Sequence, residues 1–152
     1  MKPSAGASPV APPTGTRCPC CGYAALALVG RPGRAVRYRN TVLLLPSDLP
    51  LPTCKRCKYE NLSLATLSAE TLENLYRNSL RERAILAIPR LKPCRSKRKI
   101  EILLGLSQGY LSRLSAGDGV PGAPLVSLLA LLAAHPELID QLEDYWALPP
   151  GE

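Results

Sequence analysis

The stretch CPCCGYAALALVGRPGRAVRYRNTVLLLPSDLPLPTCKRC, residues 18–57, opens and closes on paired cysteines, Cys18 with Cys21 and Cys54 with Cys57. Thiolates two residues apart can span one edge of a metal tetrahedron, and two such pairs complete the four soft ligands of a structural Zn²⁺. Gly22 closes the first knuckle, where a left-handed backbone suits a residue without Cβ. The 32 residues between the pairs exceed the roughly 15–20 of the compact four-cysteine pattern, so a hairpin must fill the gap. Ala24–Val29 reads as a short buried strand. Residues 36–42 read as one half-exposed strand, with Val36, Tyr38 and Val42 opposite Arg37, Arg39 and Thr41. GRPGR at 30–34 supplies the turn between them. The plan is a zinc-ribbon-like domain over 17–67.

Two other uses of the cysteines fit less well. Disulfides need an oxidising compartment, and MKPSAGASPVAPPTGT at the start has no apolar core of a secretory signal. A redox C-x-x-C usually occurs once, at a strand-to-helix junction. Cys20 lies inside the first knuckle and is a competing ligand. Cys94, between Pro93 and Arg95, has no assigned role. Residues 1–16 have the composition of a disordered tail.

The 152 residues, with 16 Pro, 11 Gly, six Tyr, one Trp and no Phe, suit two small domains better than one large core, since a metal substitutes for missing apolar burial. The fold expected is α+β: a β-rich metal domain, a connector helix over 68–88, and an all-α domain over 89–148. Ser68 caps the connector, with Glu70 and Glu73 near its positive end. Leu72, Leu75, Tyr76, Leu80 and Ile85 form its apolar stripe, and it should stop before Pro89. The longest apolar run, Leu125–Ala134, contains Ser127 and is about half of a membrane span. A cytoplasmic protein with no membrane partner is expected.

The net charge is +7, and it is segregated. From Arg77 to Lys99 nine basic residues face the single acid Glu82, whereas beyond Lys99 Arg113 stands against seven acids. A basic stripe of this kind points to a polyanion partner. It leads into SKRKIEILLGLSQGYLSRLSAG at 96–117. Ser96 caps a first short helix over 97–104, Gly105 turns the chain, Ser107 caps a second, and Gly117 ends it. This is a helix-turn-helix plan, with Leu103, Leu106, Leu111 and Leu114 in the seam. Gln108, Gly109, Tyr110 and Arg113 then lie at the exposed start of the second helix, which reads bases, beside Ser107. Lys97, Arg98 and Lys99 open the first helix and reach phosphate. Two leucine-rich helices follow, from Pro124 and from Pro136, and their surplus of leucines predicts a homodimer. His135, the only histidine, caps or packs beside Pro136.

These motifs together resemble the MqsA antitoxins of bacterial toxin–antitoxin modules, which join a YgiT-type zinc finger to an Xre-type helix-turn-helix. CPCCG at 18–22, RYRNTVLLLP at 37–46 and CKRC at 54–57 carry the first half; YLSRLSAGD at 110–118 and LLALLAAHPELIDQL at 128–142 carry the second. The resemblance implies structural zinc, a toxin bound by the zinc domain, and a dimer on a palindromic operator in its own promoter. The family's base-reading Arg falls on Arg113. Its base-reading Asn falls on Gly109, so the operator is expected to differ, and the Gln opening its first motif helix falls on Lys97, which would still reach a phosphate.

The function expected is a non-enzymatic one: a type II antitoxin and autorepressor, with double-stranded DNA and a small toxin as partners. The alternative is a solitary zinc-containing helix-turn-helix regulator. An enzyme is disfavoured, since no spaced acid–base pair or Gly-rich phosphate loop is present. A translation-apparatus RNA-binding ribbon is disfavoured by the helix-turn-helix, because the A-form major groove excludes side chains.

Overall fold

The structure is a computed structural model that describes residues 17–60, 67–149 and 151. The expected tail at 1–16 and residues 61–66 of the expected metal domain lie outside the described residues. The chain is mixed α+β: small antiparallel strands come first and a helical region follows. It divides into two compact units, 1–76 and 77–152.

In the first unit β1 (Leu26–Val29) pairs antiparallel with β4 (Leu51–Cys54), in the register Leu26 with Cys54. Between them in sequence, β2 (Ala35–Tyr38) pairs with β3 (Thr41–Leu44). Two expectations are corrected here. The strand at 24–29 is not buried, since Leu28 and Val29 are each more than a third exposed. The segment 36–42 is not one strand but a hairpin, reversed at Arg39-Asn40. Reversal sets Leu43 opposite Val36, and those two are buried while Val42 is 56% exposed. Arg39 takes φ 51° in the turn, an unfavourable region for a residue with Cβ. Its guanidinium offsets that by stacking over Tyr38 and Tyr76, 5.2 and 4.9 Å from the ring centres, and by pairing with Glu73 at 2.9 Å. Tyr76 Oη donates to Asn40 Oδ1 at 3.2 Å.

Arg34 fills the interior of this unit at 2% exposure. It has no carboxylate partner among the described residues. Instead Nε donates to Arg31 O (3.1 Å), Nη1 to Val29 O (3.1 Å), and Nη2 to Pro46 O (3.4 Å) and Leu49 O. One side chain thus ties the 29–31 turn to the 46–49 loop. The segments touch closely: a Cβ on Gly30 would lie 2.6 Å from Ser47 O.

Helix α1 (Ala69–Leu91) starts as expected, with Ser68 Oγ accepting from Thr71 N–H at 3.1 Å. It does not stop before Pro89, so the 88/89 boundary drawn from the sequence is not where the helix ends. Proline removes one hydrogen bond, and only in the last turn. Ile88 and Leu91, at 1% and 2% exposure, hold that turn in place by burial. The buried stripe is Leu72, Tyr76, Leu80, Ala84, Ala87, Ile88 and Leu91, with Leu75 and Ile85 only half-buried.

In the second unit α2 (Lys97–Leu103), α3 (Tyr110–Ser115), α4 (Ala123–Ala134) and α5 (Glu137–Ala147) follow. Ile100, Leu111, Leu114, Val126, Leu129, Leu132 and Ile139 make the core. Leu103 and Leu106, expected in the seam, are half-buried. Arg95 binds the α5 acids Glu143 and Asp140, and Arg81 Nε donates to Gly119 O at 3.0 Å. His135 is exposed, its Nδ1 3.2 Å from Glu137. Among the described residues no single helix is long and apolar enough to cross a membrane.

Candidate metal centre and nucleic-acid interface

The two cysteine pairs are built on one backbone pattern, used twice. In the first, Gly22 N–H donates to Cys18 O (2.8 Å) and Cys18 N–H to Tyr23 O (2.9 Å); in the second, Lys58 N–H donates to Cys54 O (3.0 Å) and Cys54 N–H to Tyr59 O (2.8 Å). The closing residue is left-handed in both, with φ 71° at Gly22 and 62° at Lys58. Strand pairing of Leu26 with Cys54 brings the knuckles together. The Sγ atoms of Cys18, Cys21, Cys54 and Cys57 all lie within 4.8 Å of one another, and Cys18–Cys57 and Cys21–Cys54 are each 3.6 Å. Four thiolates at about 2.3 Å from a tetrahedral ion stand about 3.8 Å apart. The four expected residues therefore can hold a metal ion. Cys20 is exposed and Cys94 half-buried, and neither belongs to the cluster.

The knuckle also sets thiol acidity. The Cys57 backbone N–H directed at Cys54 lowers the Cys54 pKa to about 6; burial opposes this, and the Arg56 N–H and neighbouring sulfurs reinforce it. At Cys57 the Tyr59 N–H acts in the same sense, but burial and the sulfurs of Cys18, Cys21 and Cys54 outweigh it and push the thiol up to about 12. A cation has to displace that proton, so metal affinity falls as the pH is lowered.

Lys58 leads to a direct test. A residue with Cβ held at positive φ costs about 1–2 kcal/mol, and glycine removes most of that. Lys58→Gly should stabilise the metal-loaded chain by about 1 kcal/mol, measured as an upward shift of the urea midpoint. Lys58→Ala should give no gain, which excludes the lost charge as the cause.

In the second unit Ser96 caps α2 as expected, its Oγ accepting from Lys99 N–H at 3.3 Å. Gly105 turns the chain at φ 65°. The next helix does not begin at Ser107. It begins at Tyr110, and its N-cap is Gly109 at φ 76° with no side-chain cap. Ser107, Gln108 and Gly109 form the turn before it, and the left-handed cap explains a glycine there. The capping function comes from a residue the sequence reading did not single out. Glu101, on α2 and 2% exposed, accepts from Gly109 N–H through Oε2 and from Leu111 N–H through Oε1, both at 3.0 Å. A carboxylate suits the positive end of a helix. The available signal was an acid between Ile100 and Ile102 in a segment otherwise basic and apolar.

The expected contact residues are placed as follows. Arg113 is exposed and folds back on the turn, with Nη2 donating to Ser107 Oγ (3.3 Å) and Nη1 to Gln108 O (3.4 Å). Gln108 is exposed and Tyr110 half-buried. Lys97 is half-buried and donates through Nζ to Ser115 Oγ at 3.2 Å, which ties α2 to α3. Arg98 and Lys99 are exposed, with Arg98 Nη1 3.9 Å from Glu101. No family model matches the chain, and no curated protein matches it.

Proposed function

We propose that this protein is a zinc-containing, DNA-binding antitoxin that represses its own promoter. The ion is Zn²⁺ and its role is structural, because four thiolates select a soft tetrahedral cation and leave no site for catalysis. The β1–β4 sheet with its two knuckles acts as a zinc ribbon, and α2 with α3 acts as a helix-turn-helix. The observation that carries the DNA half is the α2–turn–α3 pair clamped by Glu101, with Gln108 and Arg113 exposed beside it. Exposed Leu131, Tyr145, Trp146 and Leu148 on and after α4 and α5 support a homodimer through those helices, which would set two α3 helices on a palindrome.

Binding isotherms on operator and scrambled duplexes at several salt concentrations test this. Arg113→Ala should cost about 1–3 kcal/mol on the operator and relax preference at one base step. Lys99→Ala should weaken both duplexes alike and reduce the salt slope by about 0.9. Equal loss on both duplexes for Arg113→Ala would make Arg113 a phosphate contact. The antitoxin half is tested by the adjacent open reading frame: its product should arrest growth alone and not when co-expressed with this chain. The solitary-regulator reading keeps one supporting observation. Residues 17–60 hold eight Lys and Arg against two acids, a balance suited to an anionic partner, which a regulator without a toxin would also bind.

A further inference from the structure

We propose that the two knuckles of the first unit carry a second nucleic-acid site, for single strands, in which exposed Tyr23 of the first knuckle and Tyr59 of the second act with the second knuckle's Lys55, Arg56 and Lys58. It depends on the two knuckles and not on α2, α3 or a toxin. Each tyrosine is the second residue after its knuckle, so the same scheme places both. Their carbonyls are fixed at 2.9 and 2.8 Å from Cys18 N and Cys54 N, yet Tyr23 is 44% and Tyr59 41% exposed. Rings on a rigid backbone lose little freedom on stacking. Lys55, Arg56 and Lys58 are exposed, and none has a carboxylate within salt-bridge distance among the described residues. Of the two acids in 17–60, Glu60 is engaged by Arg31. Positive charge attracts any polyanion, but an exposed aromatic ring adds affinity only where a base is free to stack on it. The ligand class is therefore single-stranded RNA or DNA.

The test uses the full-length, metal-loaded chain and fluorescence anisotropy with labelled oligo(rU) and oligo(dT) of about 15 nucleotides, within the range of known single-strand sites. A non-operator duplex and polyglutamate serve as competitors. Metal content per chain is measured for every variant to establish that the knuckles remain intact. The proposal expects the single strands to bind more tightly than the duplex. Tyr59→Ala should weaken them about tenfold, as loss of one stacked base does, and Tyr59→Phe should stay within about twofold of the parent. Arg56→Gln with Lys55→Gln should reduce the salt slope by about 1.4, at about 0.7 per phosphate contact on a single strand. The comparison of oligo(rU) with oligo(dT) identifies the sugar preferred. Tyr23→Ala and Tyr59→Ala chains that bind like the parent would overturn the proposal. So would polyglutamate displacing the strands as readily as a competing oligonucleotide, which would make this a site for acidic protein. Failure of the operator reading would appear with Arg113→Ala on duplexes and would leave all these results unchanged.

Discussion

A Cys54→Ser variant is expected to lose its metal and, with it, the ordered first unit. A structural zinc site contributes on the order of 10 kcal/mol to a small domain, whereas a core below about 70 residues rarely supplies more than about 5 kcal/mol. Cys54 is central in two further ways: it is fully buried at the end of β4, and its backbone holds the second knuckle through Lys58 and Tyr59. Serine keeps the backbone but not the soft ligand. The measurements are zinc per chain by elemental analysis and amide exchange across residues 26–54. Full zinc content with unchanged protection would remove Cys54 from the ligand set. Cys20→Ser is the control and should leave both readouts at the parent level, because Cys20 lies outside the sulfur cluster.

The second large effect belongs to Glu101. Glu101→Ala leaves the N–H groups of Gly109 and Leu111 without their acceptor, and Leu111 is buried. A buried donor left unsatisfied costs about 1–3 kcal/mol, and water can reach only the half-buried Gly109. The second unit should lose about 3 kcal/mol, seen in urea denaturation and as faster amide exchange at Leu111. Glu101→Gln retains one acceptor oxygen and should lose roughly half as much. Arg98→Ala should change stability by well under 1 kcal/mol, since its 3.9 Å pairing is exposed on the arginine side. Operator affinity should fall in Glu101→Ala, and the stability loss should accompany it. Arg113→Ala should separate the two, with affinity lost and stability kept.

The cluster of four cysteines was legible because metal chemistry needs a residue type at a fixed spacing, and chain spacing survives folding. The order of elements was legible too, from Ser68, Ser96 and Gly105 at the ends of α1 and α2. The β2–β3 hairpin was not, because Val36, Tyr38 and Val42 keep strand alternation across a reversal at Arg39-Asn40. What permits that turn is a stack with Tyr76, 37 residues later in the chain, and no local pattern announces it. Pro89 misled for the opposite reason. Local preference argues for a stop, and burial of Ile88 and Leu91 overrides it. At α3, Ser107 had the chemistry of a cap, but a carboxylate from the preceding helix took the position. Capping from outside the helix leaves no signature at the helix start.

Arg34 has a consequence for how this chain can drift over generations. All its acceptors are main-chain oxygens, lent by Val29, Arg31, Pro46 and Leu49. A carbonyl is the same whichever side chain stands beside it, so those four positions can exchange residues without breaking the bonds. The arginine cannot be exchanged: lysine offers no planar fork to span four oxygens. Gly30 is bound just as tightly by the approach of Ser47 O. Substitution in this loop should therefore be nearly free at the acceptors Val29, Pro46 and Leu49, constrained at Arg31 only by its own pairing with Glu60, and nearly forbidden at 30 and 34, the reverse of what side-chain chemistry alone would suggest for a surface turn.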